Sequence, residues 1–480
     1  MSLVFLADIS YHAQMANQDI ENSKKFESLS KSANVEILTD ADSLKTYGKD
    51  WTKHYTPKAS AVFLPKTTEQ VVEIVKWARQ TKTALVPSGG RTGLSAAAYA
   101  TNNEVVVSLQ KMNRILELDA FDQTVRCESG VVTEHLQKYA LENGFFYPVD
   151  FAARGSSQIG GNVATNAGGI KVIRYGLTRQ WVAGLKVVTG RGDVLNLNKS
   201  LVKNATGYDL RQLFIGSEGT LGIITEVTLS LAKKPKELVV FVMGTNELDS
   251  IMQIYKRFKS EMTLIAYEMF TDIALKYVSA QNVARPFATD CKYYVLLELE
   301  HESDAYLERA TEIFSELLEA GVVIDGTISQ SPKQAAELWK LRENITEATS
   351  HKQPYKNDVS VRVSRVPEFL SEMSATLKRE HPSFEVVWFG HVGDGNLHIN
   401  ILKPDDIAGP QFVEKCKKVD EVMFKMIEKF EGSISAEHGV GLVKKAFLHH
   451  TRDKAEIEIM RDIKRVFDPD RILNPGKIFD

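Results

Sequence analysis

Cysteine is scarce in this sequence, and the three that occur, Cys127, Cys291 and Cys416, stand far apart with no CxxC pair among them. That excludes a cysteine zinc ribbon, gives no disulfide framework and fits a reducing compartment. Long apolar runs are missing too, since none approaches the roughly 20 residues that span a bilayer. The apolar burst at residues 3–7 is followed by acidic Asp8, Asp19 and Glu21, without a basic lead-in or a small-residue cleavage site. Neither a secretory signal nor an Arg-rich transit peptide is read there. A soluble, cytoplasmic protein is expected, with peripheral membrane association left open. Charge of one sign is also lacking: a formal net charge of -3 argues against nucleic acid or an anionic membrane surface as the main partner.

What is present is enough for two or three domains with full cores, at 480 residues and 43% hydrophobic side chains. Residues up to Lys53 read as a helical or loop segment without identifiable chemistry. Residues 69–80 carry Val71, Val72, Ile74, Val75, Trp77 and Ala78 in a helical pattern, and a short strand at 83–86 runs into Pro87-Ser88-Gly89-Gly90-Arg91-Thr92-Gly93. A Gly-rich turn after a strand exposes successive backbone N–H groups, which suits a phosphate or pyrophosphate. This turn is no G-x-G-x-x-G fingerprint and lacks the Lys-Ser/Thr of a P-loop, so a conventional Rossmann or NTPase reading is weak. Two more Gly-rich stretches, at 155–169 and 216–222, exceed what turn-making requires and place backbone close to something bound. Strands are read at 104–109, 124–128, 185–188 and 223–231, with a helix at 133–142.

The charged, proline-broken Lys233-Lys234-Pro235-Lys236 marks a boundary. Beyond it, two rounds of strand, helix and strand predict an α+β domain with its sheet covered on one face. Near its end, residues 388–402 read WFGHVGDGNLHINIL, a strand, a tight Gly-Asp-Gly-Asn turn and a second strand. His391 and His398 then lie on neighbouring strands. Two neutral imidazoles suit a borderline-soft divalent cation if a third ligand joins them; they also suit a hydrogen-bonded structural pair. Arg342 and Thr346, four residues apart in a helical stretch, share one face, and an Arg fork there matches a carboxylate. Asn400 lies two residues beyond His398 on the same strand face, and Lys356 is a further cationic candidate. His449 and His450 read as surface residues.

PSGGRTGL, SSQIGGNVATNAGG, KNATGYDLRQLFIGSEGTLGIIT, GHVGDGNLH, AEHGVG and FDPDRILNPGKIF together resemble the FAD-dependent D-2-hydroxyacid dehydrogenases of the vanillyl-alcohol-oxidase flavoprotein superfamily. The resemblance runs from about Tyr55 to the C-terminus, and residues 208–214 look closest to the D-2-hydroxyglutarate members. It implies an α+β fold: an N-terminal segment (1–53), a two-subdomain FAD-binding domain (54–232), an α+β substrate or cap domain with the metal site (233–440), and a C-terminal segment returning to the flavin (441–480). It implies that Gly89, Gly90, Arg91, Thr92, Gly93 and Leu94 cradle the pyrophosphate, and that Ser157, Gly160, Gly161, Asn166, Gly168 and Gly169 line the flavin. Glu218, Gly222 and Ile223 would contact the adenosine side, and Asn474 would close the site.

Members with covalent flavin carry a histidine where Arg91-Thr92 stands, so non-covalent FAD is expected. Ala96-Ala97-Ala98 also departs from the expected glycines, which stiffens that loop. With the family in view, Glu437 becomes the third ligand beside His391 and His398 for a divalent cation, zinc first, although manganese, iron and cobalt suit the same donors. His438 becomes the general base, and Arg342, Thr346, Lys356, Asn400 and His438 hold the substrate. The implied reaction is oxidation of D-2-hydroxyglutarate to 2-oxoglutarate, the alternative being D-lactate or another D-2-hydroxy acid. An electron-transfer flavoprotein or quinone is the expected acceptor, and a homodimer is the assembly left open. A metal-dependent hydrolase would leave the three Gly-rich loops unexplained, and an electron-passing scaffold subunit would not need His438 and Arg342.

Overall fold

The computed structural model describes residues 26–27, 29–52 and 55–479. The apolar burst at 3–7 and most of the 1–53 segment therefore lie outside the described residues. Among the described residues three larger sheets, beside a two-stranded one of Phe145–Phe146 and Ala232–Lys233, organise the fold. In the first, Glu36–Leu38 runs antiparallel to Ala61–Leu64, followed in parallel by Val105–Ser108 and Leu85–Ser88. Parallel strands need a crossover. The helix Thr68–Thr81 supplies one, capped by the Thr67 side chain on Gln70 N–H and burying Val71, Ile74, Val75 and Ala78.

The second sheet is antiparallel, in the order Ile115–Asp119, Thr124–Glu128, Gly222–Ser230, Val182–Thr189, Val194–Leu197. The last part of the chain packs on both of these sheets. Phe467, ending the helix Lys454–Phe467, meets Phe214 edge-on with ring centres 5.0 Å apart. Leu473 bridges Leu85 in parallel and joins the first sheet's core.

The third sheet has seven strands, all antiparallel, in the order Asp325–Ile328, Leu238–Thr245, Tyr293–Glu300, Leu264–Thr271, Glu385–Gly390, Asn396–Leu402, Tyr355–Ser360. Here the structure corrects the expectation of a sheet covered on one face. Phe241, Met243, Tyr267 and Leu297 pack under the helices Leu248–Lys259, Asp304–Glu319, Val366–Glu380 and Gly409–Lys429. The alternate residues Val240, Val242, Phe270 and Leu296 pack against Asp272–Ser279 and Pro332–Glu343. Strands covered on both sides lose the apolar–polar alternation, which is why Leu238–Thr245 reads LVVFVMGT. Among the described residues no helix is long and apolar enough to cross a membrane.

Phe241 is fully buried and meets Phe258 and Phe314 edge-on, with ring centres 5.6 and 6.1 Å away. Phe241→Ala should lower the urea-unfolding free energy by about 3–5 kcal/mol, the usual cost of emptying such a site. A loss below about 1 kcal/mol, the range of uncoupled surface changes, would contradict this packing.

Candidate active site

A cavity of about 700 Å³ opens between the first two sheets and the third. Its first wall is made by the three Gly-rich stretches. Gly89, Gly90, Arg91, Thr92, Gly93 and Leu94 follow directly on the strand Leu85–Ser88 and all face the cavity. A side chain on Gly90 would run into the Ser156 carbonyl, so only glycine lets the two loops touch. Arg91 lies over the Tyr47 ring, 4.5 Å from its centre. Ala96, where glycine was expected, sits in the left-handed region at φ 60°.

Gly160, Gly161, Gly168 and Gly169 form the middle of the wall, and Glu218, Gly222 and Ile223 its far end. Three expected cofactor residues stand behind it instead. Ser157 Oγ shares a hydrogen bond of 2.7 Å with Thr133 Oγ1. Asn166 ends the helix Ile159–Thr165 and accepts Arg179 N–H at 3.0 Å. Asn474 Nδ2 donates to the Ala97 and Glu218 carbonyls at 2.9 and 2.7 Å, tying two cavity loops together. The wall fits an extended cofactor: a Cβ on Gly161 would meet no protein atom within 4 Å and would project into the space such a molecule takes.

The seven-stranded sheet supplies the opposite wall. His391 follows the strand Glu385–Gly390, and His398, on Asn396–Leu402, pairs with Phe389 on one side and Asp358 on the other. Their Nε2 atoms stand 3.5 Å apart, and Glu437 Oε1 lies 3.6 Å from His391 Nε2. One ligand atom from each of the three falls within 4.8 Å of the others. His391 Nδ1 donates to Glu268 Oε1 at 2.7 Å, which turns Nε2 toward that common point. Burial works against a charge on His391, but Glu268 and Glu437 hold its pKa up at about 9. Burial pushes Glu437 up to about 7, and burial with the charge on His391 holds His398 well below the ordinary histidine range. The donors and their surplus carboxylates thus suit a cation.

Asp358, Glu437 and His438 form a second donor set, but Asp358 is already engaged. Its Oδ2 accepts the backbone N–H groups of Ala436, Glu437 and His438 at 3.1, 2.8 and 3.1 Å, and its Oδ1 accepts Asn396 Nδ2 at 2.7 Å. Burial would raise its pKa, yet the charges of His438, Lys444 and His398 and these donors hold it well below the usual carboxylate range. His438 Nδ1 lies 3.8 Å from Asp358 Oδ2, and burial lowers the pKa of this imidazole.

Beside this cluster, Arg342 is 6% exposed and donates through Nε to Glu268 at 2.8 Å, with its guanidinium 4.7 Å from the Phe389 ring centre. Among the described residues its Nη2 has no hydrogen-bond partner, and neither has Asn400 Nδ2. Buried donors left unpaired cost about 1–3 kcal/mol each, so both call for an acceptor in the cavity. Lys356 pairs across the sheet with Asn400. The helix carrying Arg342 breaks at Asn344, and Thr346 begins the next turn on the same wall. His449 is exposed, and His450, half-buried with its side chain 9% exposed, shares a 2.6 Å contact through Nδ1 with the exposed Glu428.

Residues 59–198 match the FAD binding domain family, and residues 234–478 match the C-terminal domain of FAD linked oxidases. The chain belongs to the FAD-linked oxidase family. It is an FAD-linked oxidoreductase. It is 57% identical over 444 residues to a D-2-hydroxyglutarate dehydrogenase of Stutzerimonas stutzeri (strain A1501), covering 92% of this chain and 96% of the relative. Another protein of that name, from Xanthomonas citri pv. viticola, is 51% identical over 93% of this chain and 94% of its own. A crystal structure of p-cresol methylhydroxylase with substrate bound shares the fold at TM-score 0.73 and 19% identity, covering 96% of this chain and 97% of that one. The fold is thus of the vanillyl-alcohol-oxidase type.

Three wall or support residues escaped sequence reasoning. Glu268 and Asp358 lie on strands, where a single acidic residue signals nothing, and Asp50, buried against the cavity, precedes the first recognisable motif. The open space over Gly161 gives a direct check on the cofactor wall. Gly161→Leu should yield a folded protein, with unchanged circular dichroism, whose flavin absorbance per chain is strongly reduced. Full flavin content in that variant would contradict the placement.

Proposed function

We propose that the chain oxidises D-2-hydroxyglutarate to 2-oxoglutarate, using non-covalently bound FAD and a divalent cation. The observation that carries this reading is the pair of buried donors, Arg342 Nη2 and Asn400 Nδ2, that have no partner among the described residues and lie on the same cavity wall as His391, His398 and Glu437. The names of the 57% and 51% identical relatives support the substrate.

Arg342 binds a carboxylate, with Nε tied to Glu268 so that Nη2 keeps one direction. Thr346, Lys356 and Asn400 take the remaining carboxylate oxygens of a dicarboxylate, which needs more such partners than lactate does. His438 takes the C2 hydroxyl proton at Nε2, while the Asp358 carboxylate near Nδ1 stabilises the imidazolium that forms. His391, His398 and Glu437 would hold the cation, zinc being the first choice, which supplies Lewis acidity that lowers the hydroxyl pKa. The glycine wall would hold FAD, which would supply the hydride acceptor. An electron-transfer flavoprotein or a quinone takes the electrons onward.

Steady-state rates on a panel of D-2-hydroxy acids should give a kcat/KM for D-2-hydroxyglutarate well above that for D-lactate, and equal or better turnover of lactate would overturn the assignment. Arg342→Met should lower kcat/KM for D-2-hydroxyglutarate by about 10- to 100-fold, as expected for one lost charged hydrogen bond; an unchanged value would remove Arg342 from substrate binding. Treatment with a chelator should abolish turnover while the flavin spectrum stays intact. Full activity after verified metal removal would take the cation out of the mechanism.

A further inference from the structure

Glu437 and His438 sit on a stretch, residues 436–441, that has no helix or strand of its own. Such a stretch keeps its shape only if its backbone donors are bound elsewhere. Two buried carboxylates bind them. Asp358, from the seven-stranded sheet, takes Ala436, Glu437 and His438, as described above. Glu218, from the glycine turn at the far end of the cofactor wall, takes Val440 N–H at 2.6 Å on Oε1 and Gly441 N–H at 2.8 Å on Oε2. The fit is close, since a Cβ on Gly439, at φ 81°, would lie 2.6 Å from Glu218 Oε1.

The two anchors differ in what stands behind them. Asp358 lies on the edge strand of the third sheet, Tyr355–Ser360, paired opposite His398. Glu218 belongs to a turn whose Glu218, Gly219, Gly222 and Ile223 all face the cavity on its glycine-rich side. That turn is tied by Glu218 N–H to the Ala164 carbonyl at 2.8 Å and by Asn474 to the Glu218 carbonyl. A cofactor seated along this wall therefore presses on the residue that holds the end of the stretch carrying Glu437 and His438.

We propose that Glu218 is a positioning residue that links the FAD compartment to the metal-ligand stretch, so that FAD and the divalent cation each strengthen the binding of the other. Such coupling is reciprocal: whatever FAD gives to cation binding, the cation gives back to FAD. The inference rests on the metal reading of His391, His398 and Glu437. It adds that this trio is set partly from the other side of the cavity, through a carboxylate that touches none of its ligands.

The test compares zinc-loaded and chelator-stripped holoenzyme, with zinc content measured in both and FAD release followed by the fluorescence of the freed cofactor. Stripping should speed FAD release from the wild type by about fivefold or more, the lower end of ordinary coupling between sites. In Glu218→Gln, where one of the two acceptor oxygens becomes an NH₂ group, release should be fast and insensitive to zinc. Gly439→Ala, which pushes the stretch off Glu218, should behave the same way should the first variant not fold. Release from the wild type that ignores zinc, despite a verified fall in zinc content, overturns the coupling, as does a variant that keeps the whole zinc effect. A wild type that takes up no zinc overturns the metal reading itself, and the coupling with it.

Discussion

The site depends on the burial of one charge. Asp358 has no exposed surface, and an ionised carboxylate in that position costs several kcal/mol unless donors and cations surround it. Three consecutive N–H groups of one irregular stretch provide most of that surrounding, joined by the Asn396 amide and by two nearby imidazoles. The dependence runs both ways. Asp358 stays ionised because the stretch wraps it, and the stretch places Glu437 and His438 over the cavity because Asp358 holds it. Lys444 completes the arrangement by donating to the Asp358 and Ile434 carbonyls at 2.9 and 2.8 Å, fixing the backbone on either side.

The same logic repeats three strands away in the same sheet. Glu268 is 1% exposed and joins Arg342 to His391, so one buried carboxylate orients both a cavity-facing guanidinium and a metal-suited imidazole. Carboxylates and nitrogen donors then alternate across the wall: Glu268 between Arg342 and His391, Glu437 beside His391, Asp358 between His398 and His438. Charges buried this way interact far more strongly than they would in water. They would also stay fixed through the proposed reaction, which is what electrostatic catalysis requires.

Much of this was legible in the sequence, and the part that was not has a physical reason. The Gly-rich stretches announced a close backbone approach because only glycine tolerates it, and Gly90 against the Ser156 carbonyl shows why. His391 and His398 were legible because turn chemistry fixes their strands as neighbours. Glu437 could be joined to them only through its motif, since it lies 39 residues beyond His398 in the chain. Glu268 and Asp358 were not legible at all: their partners come from 123 and up to 80 residues away, and an acidic residue in a strand normally faces water. The second helical layer over the third sheet was hidden for a related reason, because strands buried on both faces and strands buried on one differ only in how often a polar residue interrupts them.

The central claim is that the wall of His391, His398, Glu437, His438 and Arg342 directs a D-2-hydroxy dicarboxylate onto the flavin. Anaerobic mixing of the metal-replete holoenzyme with D-2-hydroxyglutarate tests it in a single turnover, without any electron acceptor. Rapid bleaching of the flavin's visible absorption, absent with the L-enantiomer, is the predicted result. A flavin that stays oxidised with D-2-hydroxyglutarate, in protein shown to carry both FAD and metal, would contradict the account.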